Sequence, residues 1–117
     1  MSMTSSIPEV KPWQIRVAYV KFHDKPGKGK RRPVLVVNLS GNSAYCLKIT
    51  SAGPSDQYPR FELADYEKLG LKKPSWLQLS PAYMVPVTKF GELISQAPIG
   101  LVERVNDAVR QLGAPRA

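Results

Sequence analysis

The chain reads as a mainly β protein with some α: a small barrel or tightly curled antiparallel sheet followed by one C-terminal amphipathic helix. Three observations lead there. Short alternating or β-branched apolar runs recur between residues 13 and 87. The 11 prolines are scattered between those runs, at about twice the ordinary usage of ~5%, so many short elements are separated by turns. Only the C-terminal segment sustains a 3.6-residue apolar period.

Residues 1–12 are small, polar and proline-punctuated, and are expected to form a flexible arm ahead of a single domain at 13–113. WQIRVAYVKF (13–22) sets Trp13, Ile15, Val17 and Tyr19 against Gln14, Arg16, Ala18, Val20 and Phe22, a strand partly buried on both sides. HDKPGKGKR (23–31) reads as a loop, punctuated by Pro26, Gly27 and Gly29. Pro33 suits the start of a strand, and VLVV (34–37) continues it as a buried run. A turn follows, with Gly41-Asn42 at its tip. AYCLKITS (44–51) alternates again, Tyr45, Leu47 and Ile49 opposing Cys46, Lys48 and Thr50.

After the long loop 52–59, RFEL (60–63) predicts a short strand and ADYEKLGL (64–71) one or two helical turns ended by Gly70. A strand is predicted at Trp76–Leu79, extended or followed by Tyr83–Val87. Leu101, Val102, Val105, Ala108, Val109 and Leu112 then form one helical stripe, suited to the core or to a dimer contact. Ser95 is the expected N-cap, Pro98 sits in the first turn, Arg110 in the last, and Gly113 is the stop.

At 117 residues and 13.0 kDa the chain is long enough for one core without staples. Its net charge of +8 and pI near 9.8 would attract nucleic acid, an anionic surface or an acidic protein. No apolar run approaches the ~18 residues of a membrane span, and MSMTSSIPEVKP has no apolar signal region. No membrane association is expected, and the cytoplasm is the expected compartment. Cys46 is the only cysteine, which excludes an internal disulfide. With one cysteine and one histidine, a metal site would need carboxylates at no recognisable spacing. No metal and no cofactor are expected.

Three segments in order, RRPVLVV (31–37), KITS (48–51) and LKKPSWLQL (71–79), precede the amphipathic helix. Together they resemble the MazF/PemK family of toxins from bacterial toxin–antitoxin systems, over roughly residues 13–112. The resemblance implies an SH3-like small barrel, shared with CcdB, and a homodimer. It also implies metal-independent cleavage of single-stranded mRNA by 2′-OH attack, leaving a 2′,3′-cyclic phosphate, and inhibition by a cognate acidic antitoxin. Carried over, the family's arginine before the proline falls on Arg32, and its strand-end threonine on Thr50 with Ser51 beside it.

The chain also departs from the family pattern. HDKPGKGKR lacks the Glu-Gln lead-in to the arginine. Gln78 and Ser80 stand where the PemK branch has an arginine and an aspartate, and His23 does not align cleanly with the family's loop histidine. These departures keep a second reading open: a non-catalytic binder on the same barrel, either a CcdB-like topoisomerase poison or a protein that holds nucleic acid or antitoxin without cutting.

Metal-free RNA cleavage needs a base for the 2′-OH, a cation for the phosphorane and an acid for the leaving 5′-oxygen. Arg32 suits the second role, because guanidinium is planar, always charged and able to grip two phosphate oxygens. Thr50 can donate a hydrogen bond to the same phosphate. His23, beside Asp24, is the only side chain whose ordinary pKa lies near neutrality. Lys28, Lys30 and Arg31 are expected to track RNA backbone, with Lys48, Ser51 and Gln78 as further RNA contacts. Trp13, Trp76, Tyr45 and Tyr83 are expected in the core, and Tyr58 is the candidate exposed aromatic.

Overall fold

The computed structural model describes residues 9–21 and 29–113. The expectations for His23 and Lys28 lie outside the described residues. Among the described residues there are six strands: β1 (Gln14–Lys21), β2 (Gly29–Ser40), β3 (Ser43–Thr50), β4 (Arg60–Leu63), β5 (Ser75–Pro86) and β6 (Phe90–Gln96). A short 3₁₀ turn at Val87–Lys89 joins the last two, and helix α1 (Ile99–Gly113) follows. Every pairing is antiparallel, in the order β4-β5-β3-β2-β1-β6. β1 and β5 stand three places apart in that order, about 14 Å if the sheet were flat. They nevertheless approach within 8 Å between Cα atoms, so the sheet curls on itself. The mainly β class with one C-terminal helix is the predicted one.

Two apolar clusters occupy the two faces. One combines Ile15, Leu35, Leu47, Ile49 and Leu77 with Leu101 and Val105 of α1. The other combines Ala18, Val34, Val36, Ala44, Cys46, Val85 and Phe90. Strand alternation explains the division: Val34 and Val36 point one way and Leu35 the other. The helical stripe is therefore split along its length. Leu101 and Val105 are buried, whereas Val109 and Leu112 are exposed.

Several local expectations are corrected. β2 begins at Gly29, inside the basic run expected to be loop, because Lys30, Arg31 and Arg32 pair with Val20, Tyr19 and Ala18 of β1. A partner strand, not apolar content, extends it. β6 was not expected: FGELISQ has no clean alternation, and it is a strand because it pairs with β1 through two register shifts. Ser95 lies in β6 and caps no helix; its hydroxyl donates to the Leu69 carbonyl at 2.6 Å. The Pro98 carbonyl instead accepts the first helical N–H groups, from Leu101 and Val102.

Residues 64–70 form turns, not helix, ending at Gly70 with φ +82°. The conformation there favours glycine, and a Cβ would also stand 2.9 Å from Ile94 Cγ2. Tyr45 is exposed rather than core.

Residues 9–12, expected to belong to the flexible arm, pack against the sheet. Val10 is buried among the second cluster. Arg16 holds this segment: its Nη2 donates to the Glu9 carbonyl at 3.1 Å, its Nη1 to Gly91 at 2.9 Å, and its Nε to Gln14 Oε1 at 2.7 Å. Gln14 Oε1 in turn accepts from the Lys11 N–H.

Candidate functional site

The start of β2 and the end of β3 lie side by side, because Val34 pairs with Lys48 and the two strands run antiparallel. A cleft of about 750 Å³ opens at this end of the sheet. It is lined by Lys30, Arg31 and Arg32 of β2, by Thr50 and Ser51 at the end of β3, and by Lys72 and Lys73 of the connection into β5. Glu92 of β6 is the carboxylate in this wall. Among the described residues, five cations against one anion give the cleft a positive field suited to phosphate.

Arg31 and Arg32 leave β2 in opposite directions. Arg32 pairs with Ala18 and shares a face with Val34, hence with Lys48 and, one alternation on, Thr50. It is half-buried, and burial pushes its guanidinium below the ordinary arginine pKa, partly offset by Tyr83. The group still carries its charge near neutrality. Thr50 is buried, and its Oγ1 accepts the Ala52 N–H at 3.1 Å. That bond orients the hydroxyl and uses a lone pair, so the hydroxyl proton can serve as a donor. Arg31 lies on the other face, with Val17 and Pro33. It crosses β6 at Gly91, where a Cβ would come within 2.5 Å of its Nη2.

Of the residues nominated from sequence, Lys30, Arg31, Arg32, Thr50 and Ser51 therefore meet at one cleft. Lys48 lies on the Arg32 face but not in the cleft lining. Gln78 is corrected. It is 1% exposed, and its Oε1 accepts from Arg60 Nε at 3.0 Å and Nη2 at 2.9 Å, so it positions an arginine and has no surface for a base. Arg60 also donates to the Gly53 carbonyl at 2.8 Å. His23 and Lys28 lie outside the described residues.

Sequence reasoning missed Lys72, Lys73, Glu92, Arg60 and Tyr83. The adjacent lysines in LKKPSWLQL were a usable signal; the Arg60–Gln78 link was not, since it depends on the β4–β5 register. Cys46 is fully buried, and burial raises its thiol to about 12, which removes it as a nucleophile. Among the described residues no group of three or more His, Cys, Asp or Glu is placed to hold a metal ion, and no helix is long and apolar enough to cross a membrane.

A model of the PemK-like, MazF-like toxins of type II toxin–antitoxin systems matches residues 12–113. The chain belongs to the PemK/MazF toxin family. Solved structures carry the same PemK/MazF fold. The Mycobacterium tuberculosis toxin MazF-mt6 is similar with a TM-score of 0.61 and 17% identity, over 82% of this chain and 93% of that one. A mycobacterial endoribonuclease solved with its cognate antitoxin is similar with a TM-score of 0.62 and 12% identity, over 91% and 97%. A MazE–MazF complex from Deinococcus radiodurans gives a TM-score of 0.63 at 18% identity, over 95% and 100%. No curated protein matches the chain.

Proposed function

We propose that this PemK/MazF-family toxin is a metal-independent endoribonuclease acting on single-stranded mRNA. The observation that carries the reading is the placement of Arg32 and Thr50 on one face at a strand mouth, beside a cleft lined by five cations. Arg32 grips the scissile phosphate and stabilises the charge that builds on it, commonly the largest contribution to such a reaction. The Thr50 hydroxyl donates to the same group. The 2′-oxygen attacks phosphorus, its proton passes to a base, and the 5′-oxygen leaves as a hydroxyl, yielding a 2′,3′-cyclic phosphate. His23 is proposed as the proton carrier because its ordinary pKa suits the task. Lys30, Arg31, Lys72 and Lys73 attract the backbone, with Lys48 and Ser51 beside the grip.

A cognate antitoxin with an acidic segment is proposed to compete for the same cations. Two of the similar structures, themselves antitoxin complexes, support this partner. A homodimer and a cytoplasmic location are proposed with it.

End-labelled single-stranded RNA incubated with the protein in EDTA tests the activity. Fragments with 5′-hydroxyl ends are expected; intact RNA would overturn the nuclease reading, and arrested supercoiling in the same preparation would point to a topoisomerase poison instead. Binding should also weaken with salt. Five cleft cations meeting phosphates give a log–log slope of about −3.5 on single strands. A slope near zero would count against RNA as the ligand.

A further inference from the structure

Tyr58 lies beyond the cleft, in the loop between β3 and β4, and is 39% exposed. Its N–H donates to Ser55 Oγ at 3.2 Å, as does that of Gln57 at 3.1 Å. The next carbonyl, of Pro59, accepts from the Leu79 N–H at 2.9 Å. Arg60 follows, its Nε and Nη2 on buried Gln78 and its Nη1 on the Gly53 carbonyl. From there its guanidinium stands 5.8 Å from the Tyr58 ring centroid, within range of a cation–π contact. A fully buried amide thus holds an arginine that supports an exposed ring. A ring with a held partner on one side gives up less side-chain freedom on binding than an unsupported one.

The register ties this ring to the phosphate grip. Val34, Lys48, Gln78 and Arg60 form one continuous row across β2, β3, β5 and β4, on the face that carries Arg32 and Thr50. Arg60 is two strands from β3, about 10 Å across the sheet. Lys48 lies between. The row itself is buried at Val34 and Gln78, but Arg60 also holds the Gly53 carbonyl, next to Ala52 of the cleft lining, so RNA gripped at Arg32 and Thr50 and leaving over this rim reaches Tyr58.

We propose that Tyr58, backed by Arg60, is a base-stacking platform that holds an unpaired nucleobase next to the phosphate gripped by Arg32 and Thr50. This rests on the RNA reading above and adds a subsite to it. Stacking needs a splayed base, so the platform selects single strands, and it reads no hydrogen-bonding edge, so it tolerates any base.

The test is equilibrium binding of a short single-stranded RNA, made uncleavable by 2′-deoxy sugars, to the full chain. Tyr58→Ala is expected to weaken binding roughly 5- to 100-fold with an unchanged salt slope, since no charge is removed. Tyr58→Phe should bind as the wild type does, and Tyr58→Leu as the alanine variant. Replacing single bases by abasic sugars should reveal one position at which the wild type falls to the affinity of Tyr58→Ala and the variant loses nothing more. Wild-type affinity in Tyr58→Ala, or equal losses in Tyr58→Phe and Tyr58→Ala, would overturn the platform while leaving the RNA reading intact. Absence of binding by the wild type would overturn the RNA reading itself, and the platform with it.

Discussion

Arg32→Ala is expected to lower cleavage of single-stranded RNA by at least about 10²–10³-fold, with the fold retained. The side chain is half-buried at the mouth of β2, and the ladder that holds its backbone uses main-chain groups paired with Ala18. Truncation therefore removes a fixed positive charge from the proposed phosphate grip without opening either apolar cluster. The loss should appear in the rate at saturating RNA, because charge on the phosphate grows in the transition state. Arg32→Lys retains charge but not the two-pronged grip, so an intermediate rate is expected. The measurement is single-turnover cleavage beside a circular dichroism melt. Wild-type cleavage by Arg32→Ala would remove this residue from the mechanism.

A large stability effect is expected at Arg16. This buried guanidinium joins three separate pieces of chain, the Glu9 carbonyl, the Gly91 carbonyl of β6 and the Gln14 side chain. Hydrogen bonds to charged groups contribute about 1.5–3 kcal/mol each. Water can reach part of what Arg16→Ala exposes, so a net loss of about 2–4 kcal/mol is expected rather than the full sum. Urea unfolding followed by tryptophan fluorescence gives the value. An unchanged midpoint would show that residues 9–12 and β6 hold their places without this link.

The two cases show which parts of the molecule were legible in the residue order. Arg32 and Thr50 were paired by the family resemblance, and the fold agrees with it because β2 and β3 are neighbours joined by a tight turn, which brings the two residues to one end of the sheet. Arg16 could not be recognised, since alternation marks it only as an inner-face residue and its partners come from residues 9 and 91. Gln78 was misread for a related reason. Its spacing from the strand start put it on the correct face, but its burial follows from Arg60 arriving across the β4–β5 ladder. β6 was lost because FGELISQ takes its conformation from β1 and has little preference of its own. Ser95, suitable in type for a cap, was claimed by the Leu69 carbonyl instead.

Gly91 carries no charge and no side chain, yet Arg31 lies in the notch it leaves against β6. Any larger residue there would turn the guanidinium aside and carry a full positive charge to a new place along the cleft wall. The reach of the electric field over the cleft is thus set partly by the shape of an uncharged strand. A drifting sequence has a route by which to retune its affinity for polyanions at constant pI, through bulk at a position that a count of lysines and arginines would ignore.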